Sequence, residues 1–303
     1  MVTIRGGFRG RDASAAALGL LADRFVGEAG LRPHPVAVFG RAMRALEGHI
    51  YRDSRPRGGL QAAAGVALGA AAGLALRSTA LSTYIGVAGR GLGMAASDVA
   101  AALDAGDLLT ARALLPALVG RDPADLDEKE IARAVVESVA ENTVDAVVAP
   151  AMWAAVLGGP GVLGYRAINT LDAMVGHRSS RYQRYGWASA RLDDTAGWVP
   201  ARVTAILVAL VRPRSAVEVC RTVRADAPAH PSPNAGIAEA AFAAALGLRL
   251  GGVNRYGQRV ELRPPLGSGR PAEPADIARA VKLSSDVATA LVVGLVAVGM
   301  AKG

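Results

Sequence analysis

Long stretches of this chain carry no charge, and short arginine-rich or acidic segments separate them. Residues 60–76 are uncharged and rich in alanine and glycine, and beyond Arg77 the uncharged run resumes to Gly89. Residues 146–164 are also uncharged, although Pro150 and Pro160 should kink or break a helix there. Residues 198–211 are apolar apart from Arg202, and residues 287–301 form an uncharged run closed by Lys302. A clean membrane crossing takes roughly 20 apolar residues, so these four stretches lie close to the limit. Two fates fit them: insertion in a membrane, or burial in a soluble all-helical protein. Residues 13–22 are too short to cross and have no convincing cleavage site, so no removable signal peptide is expected.

The polar segments between these runs look ordered. Residues 122–127 are turn-rich, and Asp127 followed by Glu130 forms a capping-box pattern that starts a helix by satisfying its free amides. Arg212-Pro213-Arg214 reads as a helix stop, and residues 226–234, with three prolines, as an irregular loop. Residues 251–274, rich in glycine, proline and arginine, read as a long surface loop. Neither an internal repeat nor a strand series is visible. The expected fold is all-α: a multi-helix integral membrane protein, one domain over residues 1–303, with polar helical and loop segments carrying the site.

Composition sharpens this picture. Half the residues (51%) are hydrophobic but only 4% are aromatic, and the mean hydropathy is +0.28. Small apolar side chains of this kind favour tightly packed helices. The net charge is +8, carried almost wholly by arginine, since lysine occurs only at positions 129, 282 and 302. The arginines are scattered between apolar segments without a basic stripe interleaved with stacking aromatics, which argues against a nucleic-acid partner. Arginine in short loops beside apolar segments suits membrane lipid instead. The single Cys220 excludes an internal disulfide, and no two of the four histidines stand at zinc-ligand spacing. His34 and His230 lie in proline-rich loops and are read as hydrogen-bonding loop residues. No lysine stands in a phosphate-loop context, and neither a dinucleotide fingerprint nor a serine elbow occurs.

Three clusters could carry chemistry. Glu137, Glu141 and Asp145 fall on one face of a helix, roughly opposite Val135, Val136 and Val139. Stacked carboxylates repel unless a cation or substrate neutralises them, so this is either a solvated or arginine-paired face or a site for magnesium and phosphate. Arg166, Asn169 and Asp172 recur every third residue, and spacing alone does not separate a phosphate-and-amine site from an internally satisfied network. Arg191, Asp193 and Asp194 precede an apolar helix, where paired aspartates fit a helix start as well as a metal site. Arg202, inside an apolar run, should face a cavity, an acidic partner or an anionic substrate.

Taken in order along the chain, these blocks resemble the adenosylcobinamide-phosphate synthase family, the CobD/CbiB cobalamin biosynthesis proteins. The resemblance begins with Asp23-Arg-Phe-Val-Gly27 and His34-Pro-Val36. It continues through Val119-Gly-Arg-Asp122, the segment 134–145 containing Glu137, Glu141, Asn142 and Asp145, and the segment 165–176 containing Arg166, Asn169 and Asp172. Ala190-Arg191-Leu-Asp193-Asp194, Pro200-Ala-Arg202, Ser232-Pro-Asn234, Glu239-Ala240 and Leu250-Gly-Gly252 complete it. One departure is Gly27-Glu28-Ala29, where the family usually has Gly-Asp-Pro.

The resemblance implies an enzyme of the cytoplasmic membrane, multi-pass, that performs an ATP-dependent amide ligation. An amino-alcohol phosphate such as 1-amino-2-propanol phosphate would be joined to a propionate carboxylate of adenosylcobyric acid, giving adenosylcobinamide phosphate. Glu137, Glu141 and Asp145 would hold Mg2+ and nucleotide, Arg166, Arg191 and Arg202 phosphate oxygens, and Asp172 or Asp194 the amine. His34, Asn142, Asn169, Asp193, Ser232, Asn234 and Glu239 complete the implied substrate contacts. Other cobalamin-assembly enzymes or a second copy of the chain are the implied protein partners. A membrane carrier of a corrinoid or other anion, acting without chemistry, is the rival reading.

Overall fold

The computed structural model describes residues 10–27, 34–120, 122–177, 179–256 and 259–302. Glu28, Ala29 and Arg121, named in the blocks above, lie outside them. The chain opens with helices α1 (Gly10–Val26), α2 (Pro35–Ile50), α3 (Arg55–Leu76), α4 (Thr79–Gly86), α5 (Gly89–Asp104) and α6 (Leu108–Leu114). Next come α7 (Glu128–Thr143), α8 (Ala149–Leu171), α9 (Trp187–Ala196), α10 (Trp198–Val211), α11 (Ala216–Ala225) and α12 (Ala235–Leu246). Strands β1 (Leu248–Tyr256), β2 (Arg259–Leu266) and β3 (Arg270–Pro271) precede a last helix, α13 (Ala275–Lys302). Among the described residues, four helical stretches are long and apolar enough to cross a membrane: Arg55–Leu76, Glu128–Gly176, Trp187–Val211 and Ala275–Lys302. Each contains one of the four uncharged runs.

Local chemistry sets many of these boundaries. Asp127 accepts from the Glu130 amide at 2.8 Å and the Glu130 carboxylate accepts from the Asp127 amide at 3.0 Å, so the capping box opens α7 as its sequence predicts. Arg77 ends α3 in the left-handed region at φ 53°, and Ser78 restarts the chain by accepting from the Leu81 amide. Pro213 follows the end of α10. Pro150 does not break its helix: it lies in the first turn of α8, just after a π-helical stretch, Val144–Val148. The break comes near Pro160 instead, where Gly158 at φ 65°, ψ −151° interrupts α8.

By internal contacts the chain divides into two compact units. Unit 1 comprises residues 1–88, 149–197 and 292–303, and unit 2 residues 89–148 and 198–291. In unit 1, α3 packs along α8, with α1 and α4 against the same helix. Gly65, Gly69 and Gly73 recur every fourth residue and let the α3 backbone approach α8. A Cβ at Gly69 would lie 2.5 Å from the Leu163 carbonyl oxygen, and one at Gly73 2.2 Å from that of Gly159. Buried Glu47 accepts from Arg181 Nη2 at 2.9 Å and from the Tyr182 hydroxyl at 3.0 Å, while the Arg181 guanidinium stacks on Tyr51.

In unit 2, α12 packs against α10, α11, α7 and β1. Helix α7 is buried nearly all round, with Ile131, Ala132, Ala134, Val135, Val136, Val139 and Ala140 inaccessible. Residues 251–274, expected to be a surface loop, instead contribute to a sheet of order β2-β1-β3. Strand β1 pairs antiparallel with β2, with Val253 opposite Leu262, and parallel with β3. A register shift between Leu250 and Gly252 marks a bulge, and Gly251 and Gly252 supply the positive φ angles it requires. The misreading has a physical cause. The alternation around Leu262 is inverted: Leu262 is 79% exposed while the Glu261 and Arg263 side chains are mostly covered.

Candidate functional site

Unit 2 holds a cavity of about 240 Å³ lined largely by polar groups. Glu137, Ser138 and Glu141 of α7 form one wall. His230, Ser232, Ala235 and Glu239, from the 226–234 loop and α12, form another. Asn254 of β1, Arg263 of β2 and residues 118–120 close it. The loop is held in place by its own polar groups. Ser232 Oγ accepts from the Asn234 and Ala235 amides at 3.3 and 3.1 Å, capping the start of α12. Arg202 stacks on Trp198 and donates through Nη1 to the Pro233 carbonyl at 3.3 Å and to Asn234 Oδ1 at 3.5 Å.

Arg133 ties the hairpin to α7. Its Nη1 donates to Glu137 Oε1 at 3.3 Å, to the Gly251 carbonyl at 2.6 Å and to Asn254 Oδ1 at 3.2 Å, and its Nη2 to the Val253 carbonyl at 2.8 Å. Glu137 Oε1 also accepts from the Gly251 amide at 2.9 Å. A carboxylate that is only 5% exposed is therefore neutralised by a cation and a backbone donor together.

His230 is 7% exposed and bound at both nitrogens. Nε2 lies 2.9 Å from Arg263 Nη1 and 3.8 Å from Glu239 Oε1, while Nδ1 lies 3.1 Å from the Ser232 carbonyl. Guanidinium has no lone pair to offer, so Nε2 must accept and Nδ1 carries the proton toward Ser232. Burial, with the neighbouring Arg263 charge, holds the imidazole below its ordinary pKa, although the Ser232 carbonyl and the charges of Glu137 and Glu261 pull the other way. His230 is thus held neutral.

Of the residues singled out from sequence, Glu137, Glu141, Ser232 and Glu239 line this cavity, and Arg202 and Asn234 brace its loop. Asp145 and Asn142 do not line it. Asp145 lies in the first turn of the π-helical stretch, and Asn142 Nδ2 donates to the Ser138 carbonyl at 2.9 Å. Among the described residues no three His, Cys, Asp or Glu side chains converge as a metal-ion cage. The second and third clusters meet in unit 1. Arg166 Nη1 donates to Asn169 Oδ1, and Asn169 Nδ2 to Asp193 Oδ1, both at 3.4 Å. Arg191 pairs with Asp194 at 3.8 Å, and the Asp172 carboxylate lies against Gly176. His34 Nδ1 accepts from the Val36 amide at 3.3 Å at the start of α2.

Arg133, Ser138, Asn254 and Arg263 were not legible as site residues, and His230 was read only as a loop residue. The signals were present but weak: two short alternating segments flanking Tyr256, and a histidine only two residues before Ser232.

A helical protein with four potential membrane-crossing helices among the described residues, and an acidic pocket that also holds a histidine and an arginine, has the make-up of a membrane protein with a polar site. The chain belongs to the CobD/Cbib protein family, which matches residues 16–284. The cobalamin biosynthesis protein CobD of Mycobacterium tuberculosis strain H37Rv is 49% identical over 271 residues, covering 84% of this chain and 85% of that protein. The protein of the same name from Rhodobacter capsulatus is 49% identical over 203 residues, 66% of this chain and 64% of that one. The Chromobacterium violaceum protein is 42% identical over 284 residues, 88% and 90%. No solved structure matches. The family places the chain in cobalamin biosynthesis.

Proposed function

We propose that this protein is an ATP-dependent amide-forming ligase of the cytoplasmic membrane, joining an amino-alcohol phosphate to a propionate carboxylate of adenosylcobyric acid. The observation that carries this reading is the gathering of Glu137, Glu141, Glu239, His230 and Arg263 around one polar cavity. A carboxylate is a poor acylating agent. In the proposed sequence its oxygen takes the terminal phosphoryl group of ATP, ADP leaves, and the amine nitrogen then attacks the acyl carbon and displaces phosphate. The nitrogen must shed a proton, and an acceptor facing it is required. Glu239 and His230 stand in the cavity for that role, in place of Asp172 and Asp194.

Magnesium takes one or two carboxylates and keeps waters and substrate phosphates, so it does not need a three-carboxylate cage. Glu141, exposed at the cavity, is the carboxylate proposed for that ion, while buried Glu137 is held by Arg133 and Gly251. When bound, the ion would neutralise charge on the nucleotide phosphates.

The test is mass spectrometry of detergent-solubilised protein given adenosylcobyric acid, 1-amino-2-propanol phosphate, magnesium and ATP, each omitted in turn. The amide should appear only in the complete mixture, and Glu141→Gln should lower its rate at least tenfold. Folded protein that binds the corrinoid without forming the amide would overturn the ligase in favour of a carrier.

A further inference from the structure

Helix α11 is two-sided and directly follows a stretch able to cross a membrane. That stretch ends at Val211, Pro213 makes the turn, and α11 begins at Ala216. Inward, Val219 and Thr222 are buried, and the helix packs against α10 and α12. Outward, Arg214 of the preceding turn and Val217, Cys220, Arg221, Arg224 and Ala225 are exposed, Val217 to 83%. Three- and four-residue steps along a helix place these side chains in one stripe.

Most of the positive charge on this stripe has nothing to neutralise it. Arg221 pairs with Glu218, and Arg212, at the end of α10, pairs with Asp286 at 2.8 Å. Among the described residues neither Arg214 nor Arg224 has an ion-pair partner. Exposure also changes character along the chain. In the last two turns of α10 the exposed side chains are Ile206 and Leu210, which suit hydrocarbon. On α11 they are arginine with small apolar residues, the make-up of a helix lying in the headgroup region. The stripe has none of the aromatic anchors on which protein interfaces depend, and none of the stacking rings that single-stranded nucleic acid uses. Anionic headgroups ask for less: guanidinium to meet phosphate oxygens, and a shallow apolar contact between.

We propose that α11 lies on the membrane surface with its outward stripe bound to anionic phospholipid, Arg214 and Arg224 meeting headgroup phosphates and Val217 entering the acyl boundary. The placement rests on the chain's residence in the cytoplasmic membrane. Because α11 runs straight into the 226–234 loop, the same contact holds one wall of the polar cavity beside the lipid.

Cys220, the single cysteine, stands exposed on the stripe and supplies a reporter. The full chain, labelled there with bimane, is reconstituted into phosphatidylcholine vesicles or into vesicles in which a third of the lipid is phosphatidylglycerol. Quenching by headgroup-attached nitroxide should rise at least twofold with the anionic lipid, and high salt should reverse the rise. Replacing Arg214, Arg221 and Arg224 together by Gln should abolish it, and replacing them by Lys should retain it in part. Equal quenching of the native chain in the two lipids would overturn the proposal whether or not the variants fold, and is the result expected of a face kept for solvent or for a protein. A glutamine variant that responds as the native chain does would overturn it too. Flotation separates the lipid face from the membrane reading beneath it. A chain that floats only with anionic vesicles breaks the membrane-crossing helices and keeps the face. One that floats with both, its label indifferent to lipid charge, keeps the crossing helices and breaks the face.

Discussion

Along α3 and α8 of unit 1 it is backbones that touch, whereas around α7, α12 and the hairpin of unit 2 it is polar side chains that meet. In the first region the contact surface is glycine, and a Cβ at Gly73 would meet three backbone atoms of residues 159–160 within 2.5 Å. In the second the contacts are charge-assisted: Arg133 alone reaches Glu137, Asn254 and the carbonyls of Gly251 and Val253. The first arrangement fixes shape through contact and tolerates no added volume. The second fixes the positions of specific charges, and in doing so leaves a polar space between them.

The contrast can be broken at three points of decreasing severity. Gly73→Leu should have the largest effect, because backbone atoms cannot step aside as a flexible side chain can. The loss should exceed the about 1–3 kcal/mol typical of overpacking. Fluorescence-detected gel filtration after detergent extraction should show little monodisperse protein, and a normal peak would refute close backbone contact there.

Arg133→Ala should come second. It leaves the Glu137 carboxylate buried without its cation, a change that costs about 3–5 kcal/mol when one partner of a buried pair is removed. The damage should concentrate on β1, read as faster amide exchange at Asn254 and its neighbours. Uniform exchange across the protein would show that Arg133 does not anchor the hairpin.

The smallest effect concerns His230. Its folded pKa is depressed below the ordinary 6.5, so between the two values the unfolded chain binds the extra proton. Stability contributed by the neutral imidazole is present above pH 6.5 and is lost as pH falls through that value. Thermal unfolding between pH 7.5 and 5 should show Tm falling on acidification, with a shallower slope in His230→Gln. Equal slopes would show that the imidazole is not held neutral.

Much of unit 1 could be read in advance. The uncharged run 60–76, rich in alanine and glycine, already favoured tightly packed helices, although which glycines meet α8 emerged only in the fold. The capping box at Asp127 and the stop at Pro213 were equally local, each decided by the amides within one turn of it. The site was legible only in part. Glu137 and Glu141 were visible as acids on one helical face, yet their different fates were not. One is bound into scaffold by Arg133 and by a bulged strand more than a hundred residues away, and the other lines the cavity. Arg263 was hidden because its strand turns its polar face inward and leaves Leu262 outside, the reverse of the usual alternation.

By itself the sequence determined the helical character, the four runs able to cross a membrane, the helix starts and stops, and the family. Those properties depend on hydropathy and on hydrogen bonds between residues a few positions apart. Tertiary structure decided which acids share a cavity, that His230 and Arg263 stand among them, and that residues 251–274 form a hairpin rather than a loop. These depend on contacts between distant segments, where burial and pairing, not local spacing, select the arrangement.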